Sequence, residues 1–296
     1  MEVLARFTLL ALVSLALVGC RSGSATGDDS LALRDFLVKS SDGVPIHFVT
    51  GGSGDTALVF VHGWTGNAGW WRPVMERFAP DYRVVALDLA GHGASGRQRF
   101  QWTVEHFAAD VAAVVRALDL KRVVLVGHSM SGTITVEAAR VLGPRVVLLV
   151  PIDTLQDAEW DLPPEVWMQF FGGLRADFPR AVEGFFRGML AAAGSPPEVI
   201  DRVVAEARRA DPALAVPMLE RAREFDLRTA LRDLGVPIHA INSDRNPTRL
   251  DRNRRYARRF DVELLPGVGH WPMLETPEAF GDALERVLDE HDVRGD

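Results

Sequence analysis

One stretch, Val123-Val124-Leu125-Val126-Gly127-His128-Ser129-Met130-Ser131-Gly132, constrains this chain more than any other. Its apolar run is too short for a helix and ends in Gly-His-Ser, and residues 133–142 then carry helical periodicity. A serine on such a strand-to-helix turn is held in a strained backbone at the end of a buried strand. Its hydroxyl is pushed clear of the main chain, and the neighbouring amides lie at a helix N-terminus, where negative charge is favoured. These are the conditions an activated serine nucleophile needs. The pattern departs from Gly-x-Ser-x-Gly at its fifth position, where Ser131 stands and the glycine follows at Gly132. A small residue there lets helix and strand approach closely, so a serine is tolerable.

The rest of the chain repeats this strand-then-helix rhythm. Short apolar runs at 57–61, 83–87, 123–126, 146–150, 238–241 and 262–265 read as strands, and 35–38 with 46–50 bracket Ser41-Asp42-Gly43 as an antiparallel edge hairpin. Helical periodicity marks 71–78, 104–118, 133–142, 249–260 and 277–291. The alternation predicts an α/β fold, a mostly parallel sheet covered by helices on both faces. From 154 to 225 the rhythm changes to helices separated by Pro163-Pro164, Phe178-Pro179, Ser195-Pro196-Pro197 and Asp211-Pro212. This segment is expected to be a helical cap inserted into a core made of 34–153 and 226–296. Stripes of Trp167, Phe170, Phe171 and Leu174, and of Val182, Phe185, Phe186 and Met189, read as packing that also walls an apolar pocket.

The N-terminus reads as a targeting segment rather than part of the fold. Arg6 lies in a short polar region, an apolar run spans 7–18, and Leu17-Val18-Gly19-Cys20 closes it. That ending resembles the lipobox of bacterial lipoproteins, which implies removal of 1–19, lipidation of Cys20, and a flexible tether over 20–33. Arg21 rather than Asp follows the cysteine, and in such lipoproteins this implies retention at the outer membrane. Cys20 is the sole cysteine, so no thiol is left for a disulfide or for catalysis. The formal net charge of -7 argues against nucleic acid as a partner. The basic run of Arg245, Arg249, Arg252, Arg254, Arg255, Arg258 and Arg259 reads as a solvated helix face.

Acyl transfer through a serine requires a base, a group that orients the base, and donors for the oxyanion. His270 in Val268-Gly269-His270-Trp271-Pro272 follows the last apolar run and is the expected base. The oxyanion donors are expected to be the amides of Met130, directly after the serine, and of Trp64 in Phe60-Val61-His62-Gly63-Trp64. His62 is expected to be structural.

With His62-Gly63, Asp88-Leu89-Ala90-Gly91-His92-Gly93-Ala94-Ser95, Gly127-His128-Ser129-Met130 and Gly269-His270-Trp271-Pro272-Met273-Leu274-Glu275 in this order, the chain resembles a capped α/β-hydrolase-fold serine hydrolase. In that family Asp88 and His92 brace the loop beside the site. The family's commonest acid would fall on Asn246, which cannot carry the charge that stabilises an imidazolium. A second arrangement known in this fold places the acid after the strand that follows the nucleophile helix, which gives Asp153. Asp244, two residues before Asn246, is the alternative acid and would require a shifted loop.

The resemblance implies hydrolysis of an ester or related acyl bond through a Ser129 acyl-enzyme, acting on a small apolar acyl or aryl substrate. Lactonase, C–C hydrolase and cofactor-free perhydrolase chemistry use the same set of groups. Serine at the turn argues against the dehalogenases and epoxide hydrolases of this fold, which use aspartate there. No metal-ligand cluster or nucleotide loop is evident, so no metal or cofactor is implied. The contrasting reading is a tethered binding module with decayed catalysis, favoured by Asn246 and opposed by Ser129, His270 and the oxyanion turn.

Overall fold

The structure is a computed structural model that describes residues 31–294. The expectations for the targeting segment, Cys20 and most of the tether lie outside the described residues. Eight strands form one sheet in the order β1-β2-β4-β3-β5-β6-β7-β8. They are β1 (Arg34–Lys39), β2 (Pro45–Gly51), β3 (Thr56–Val61), β4 (Arg83–Leu87), β5 (Arg122–His128), β6 (Val146–Ile152), β7 (Ile238–Ser243) and β8 (Phe260–Leu265). β1 and β2 form an antiparallel hairpin, β2 joins β4 antiparallel, and all remaining pairings are parallel. Helices cover both faces of the central strands, so those strands must be apolar along their whole length. Every residue of β3 is buried, as are 123–128 in β5.

The covering helices are α1 (Arg72–Phe78), α2 (Val104–Ala117), α3 (Ser131–Leu142) and α11 (Pro277–Glu290). In α2 the buried Phe107, Val111, Val114 and Val115 recur at helical spacing and form its sheet-facing stripe. Between β6 and β7 the chain leaves the sheet for α4 (Pro164–Ala176), α5 (Phe178–Phe185), a π-helical turn (Phe186–Leu190), α6 (Pro197–Ala207), α7 (Pro212–Ala222) and α8 (Leu227–Arg232). Proline occupies the first turn of α4, α5, α6 and α7, where its missing N–H is not needed. No helix of the described residues is long and apolar enough to cross a membrane.

The expected helix over 249–260 is not formed as such. Only α9 (Leu250–Asn253) is helical, and turns follow before β8. Asn253 is fully buried and uses its side chain elsewhere, accepting from the Ala158 amide at 2.8 Å and donating to the Leu155 carbonyl at 2.7 Å. The arginines there are solvated, as expected, but do not share a helix face. Arg252 pairs with Asp157 at 2.7 Å, Arg255 with Glu159 at 3.1 Å, and Arg254 with Asp261. A short helix α10 (Pro272–Glu275) directly follows His270.

Candidate active site

The carboxyl ends of β5 and β6 place Ser129 and Asp153 one residue beyond each strand. Both take positive φ, 55° at Ser129 and 44° at Asp153. For an L-residue this conformation costs roughly 1–2 kcal/mol. The sheet holds both in place: the Ser129 amide donates to Ile152 O and the Asp153 amide to Ile241 O, each at 3.0 Å. The turn points the two side chains toward the loop after β8, which carries His270.

There the three side chains meet. Ser129 Oγ lies 2.8 Å from His270 Nε2, and His270 Nδ1 lies 2.6 Å from Asp153 Oδ2. A carboxylate only accepts, so Nδ1 carries the imidazole proton and Nε2 is left as the acceptor for the serine hydroxyl. The second carboxylate oxygen, Oδ1, accepts from the Ser243 amide at 3.0 Å and from the Ser243 hydroxyl at 2.7 Å. Burial alone would push the Asp153 carboxyl up, but the His270 bond and charge and the two Ser243 donors hold it well below the usual carboxylate range. Asp244 points elsewhere: its Oδ1 accepts from the Gly267 amide at 3.0 Å and shapes the turn leading to the histidine. Asn246 is exposed.

The turn after β3 approaches the serine from the other side. A Cβ on Gly63 would stand 2.7 Å from His128 Nδ1 and 3.0 Å from Ser129 Cβ, so only glycine permits this contact. His62 braces the turn, donating from Nδ1 to Gly63 O at 2.7 Å and accepting the Leu89 amide at Nε2, 3.1 Å. Asp88 accepts the amides of Ala68 and Ala94, and His92 accepts the Thr65 amide. Among the hydrogen bonds of the described residues, neither the Trp64 nor the Met130 amide is a donor. The Trp64 indole is anchored on α7 through Nε1 to Ala215 O at 2.8 Å.

A profile described as the Alpha/beta hydrolase family matches residues 58–283. The chain belongs to the alpha/beta hydrolase family. Similar to this hydrolase is a pimeloyl-[acyl-carrier protein] methyl ester esterase of Pectobacterium atrosepticum, 30% identical over an alignment of 256 positions that covers 81% of this chain and 96% of the relative. Solved structures share the fold. A bromoperoxidase from Bacillus anthracis superposes with a TM-score of 0.76 at 20% identity, covering 86% of this chain and 100% of its own. A thermophilic esterase from Thermogutta terrifontis gives 0.75 at 24% identity, covering 87% and 99%.

Several groups shape the site of this hydrolase through contacts not expected from its sequence. Ser243 closes β7 and reads as an ordinary strand end, yet it supplies both donors to Asp153 Oδ1. Ser131, the departure from the usual turn pattern, is fully buried and donates to His62 O at 2.5 Å, which ties the serine turn to the Gly63 turn. Glu275 accepts the amides on both sides of His270. His128 Nε2 donates to His270 O at 2.7 Å, and burial together with the adjacent His270 pushes its pKa down to about 3. A metal-compatible set also occurs among the described residues: His239, Glu290 and His291 bring ligand atoms within 4.8 Å of one another. His239 lies near the start of β7, at the far end from Ser243. A hydrogen bond between the two imidazoles at 3.2 Å accounts for their approach.

Proposed function

We propose that this hydrolase cleaves carboxylic esters through a covalent Ser129 acyl-enzyme, with His270 as general base and Asp153 as the acid that orients it. The observation that carries the reading is the continuous chain Ser129 Oγ–His270 Nε2 and Nδ1–Asp153 Oδ2, at 2.8 and 2.6 Å. His270 takes the hydroxyl proton as Oγ attacks the ester carbonyl. The amides of Trp64 and Met130 receive the oxyanion, and the imidazolium then gives its proton to the departing alkoxide. Water enters, loses a proton to His270, and attacks the acyl-serine; collapse of the second tetrahedral intermediate returns the proton to Ser129 Oγ and releases the carboxylic acid. Asp153 stays ionised throughout and stabilises the imidazolium.

The acyl or aryl group is expected to be small and apolar, because aromatic residues converge where the cap meets the site. Trp64 packs against Phe178 and Phe186, and Phe186 against Trp271. The methyl ester esterase named among the relatives supports an ester as substrate class. A fluorophosphonate probe tests the reading directly, together with a panel of p-nitrophenyl esters, aryl esters and lactones. Wild-type protein should label and turn over esters, and Ser129→Ala should do neither; a wild-type protein that fails to label beside a reactive control esterase would sink the proposal.

We further propose that Cys20 is lipidated after removal of 1–19 and that the mature enzyme is tethered at the outer membrane. The lipobox-like Leu17-Val18-Gly19-Cys20 and the following Arg21 support this. The mass of the mature N-terminus decides it: an unmodified end at any other residue refutes the anchor.

A further inference from the structure

We propose that the cap segment 190–195 is part of the apparatus that positions the imidazole, and that Ser195 is a positioning residue acting through Glu275 on His270. This rests on the reading of His270 as the base. The loop around His270 offers a run of backbone polar groups, held by three residues from different parts of the molecule, Glu275, His128 and Leu190. The amides of Gly269 and Trp271 donate to Glu275 Oε2 and Oε1, at 2.7 and 2.9 Å. The His270 carbonyl accepts from His128. The His270 amide donates across to the cap, to Leu190 O at 3.0 Å.

The cap makes a second link through the same carboxylate. Ser195 Oγ donates to Glu275 Oε2 at 2.6 Å and is itself oriented by the Ala192 amide at 2.9 Å. Glu275 is buried, so its charge must be met by donors at fixed positions. Its donors here are the two loop amides and the Ser195 hydroxyl. Withdrawing the hydroxyl leaves Oε2 with one partner fewer and frees the carboxylate to shift, and the loop amides shift with it. The approach is built in closely: a Cβ on Gly269 would stand 2.5 Å from Ser195 Oγ and 2.7 Å from Glu275 Oε1. Leu190 ends the π-helical turn that begins at Phe186, so the turn fixes where its carbonyl meets His270. A docked cap thus completes the setting of the imidazole, and a lifted cap removes two of its supports.

The test is a double-mutant cycle on Ser195→Ala and Glu275→Gln, read as the rate of fluorophosphonate labelling, with thermal melting to establish that each variant is folded. A displacement of the imidazole by a fraction of an ångström is expected to slow labelling of Ser195→Ala by about tenfold. Glu275→Gln should slow it more, and the double variant should match Glu275→Gln alone, because Ser195 acts only through that carboxylate. Wild-type labelling by folded Ser195→Ala, or losses that multiply in the double variant, overturns the proposal. If wild-type protein itself does not label, the assignment of Ser129 and His270 has failed instead. The clamp is then read from the low-field proton resonance of His270 Nδ1. Faster exchange of that proton in Ser195→Ala supports it, and an unchanged rate overturns it.

Discussion

Asp153 divides its carboxylate between two tasks. Oδ2 faces the imidazole and Oδ1 is held by both donors of Ser243, so the carboxylate cannot rotate away from the ring. Asp244, the other candidate read from the sequence, only shapes the turn at Gly267. Under the proposed mechanism Asp153→Asn keeps the shape, but its amide group can donate to Nδ1 and favour the wrong tautomer. The turnover of a p-nitrophenyl ester should fall by about 10⁴-fold. Asp244→Asn should stay within a few-fold of wild type, and the reverse ranking would reassign the acid. Residues of this kind were unequally legible in the sequence. Ser129 and His270 stand in short patterns whose glycines mark sharp turns. Ser131 and Ser243 act through contacts with segments 69 and 90 residues away, on His62 and Asp153, and no local pattern encodes such contacts. Glu275 holds the nearby amides of Gly269 and Trp271, but its Ser195 partner lies 80 residues away.

Among the elements, the sheet was the most readable. Strands buried on both faces must be apolar along their buried length, and 57–61, 84–87 and 123–126 all appear as uninterrupted runs within strands that the structure forms. Residues 249–260 misled because their periodicity is helical while Asn253, fully buried, spends its side chain on the loop at Leu155 and Ala158. The helices between β6 and β7 were legible as segments broken by prolines, but their attachments were not. One of them is the Trp64 indole, which ties the turn after β3 to α7. Trp64→Phe retains most of the ring but leaves Ala215 O without this donor. The loss should lower stability by about 1 kcal/mol. If the cap helps to hold that turn, the ester kcat should fall while KM changes little. An unchanged kcat in a variant of lowered stability would confine the bond to a structural role.

Taken whole, the molecule packs three neutral imidazoles, His62, His92 and His128, into its core near the site. Burial, reinforced by His62, pushes His92 down to about 3; burial and His270 do the same to His128; and burial lowers His62 as well. Histidines of the unfolded chain bind protons near pH 6.5, so acid favours unfolding. The stability these rings confer is complete above about pH 6.5 and drains away as pH falls toward 3. At pH 5 the loss should be about 2 kcal/mol each for His92 and His128. Asp153 adds to the loss only below about pH 4, since its carboxyl is held down in the fold. Urea unfolding at pH 7.5 and pH 5.0 should therefore show a clear drop, and equal stability at the two pH values would mean that the rings are already protonated in the native fold.

The positive φ angles at Ser129 and Asp153 carry a cost for any lineage selected for heat tolerance. Glycine adopts that backbone without strain, so Ser129→Gly should melt at a higher temperature than wild type and, under the proposed mechanism, lose its turnover. If Ser129 is the nucleophile as proposed, a substitution that relieves the strain of the turn also abolishes its chemistry, and a screen for melting temperature alone would drift toward inert protein.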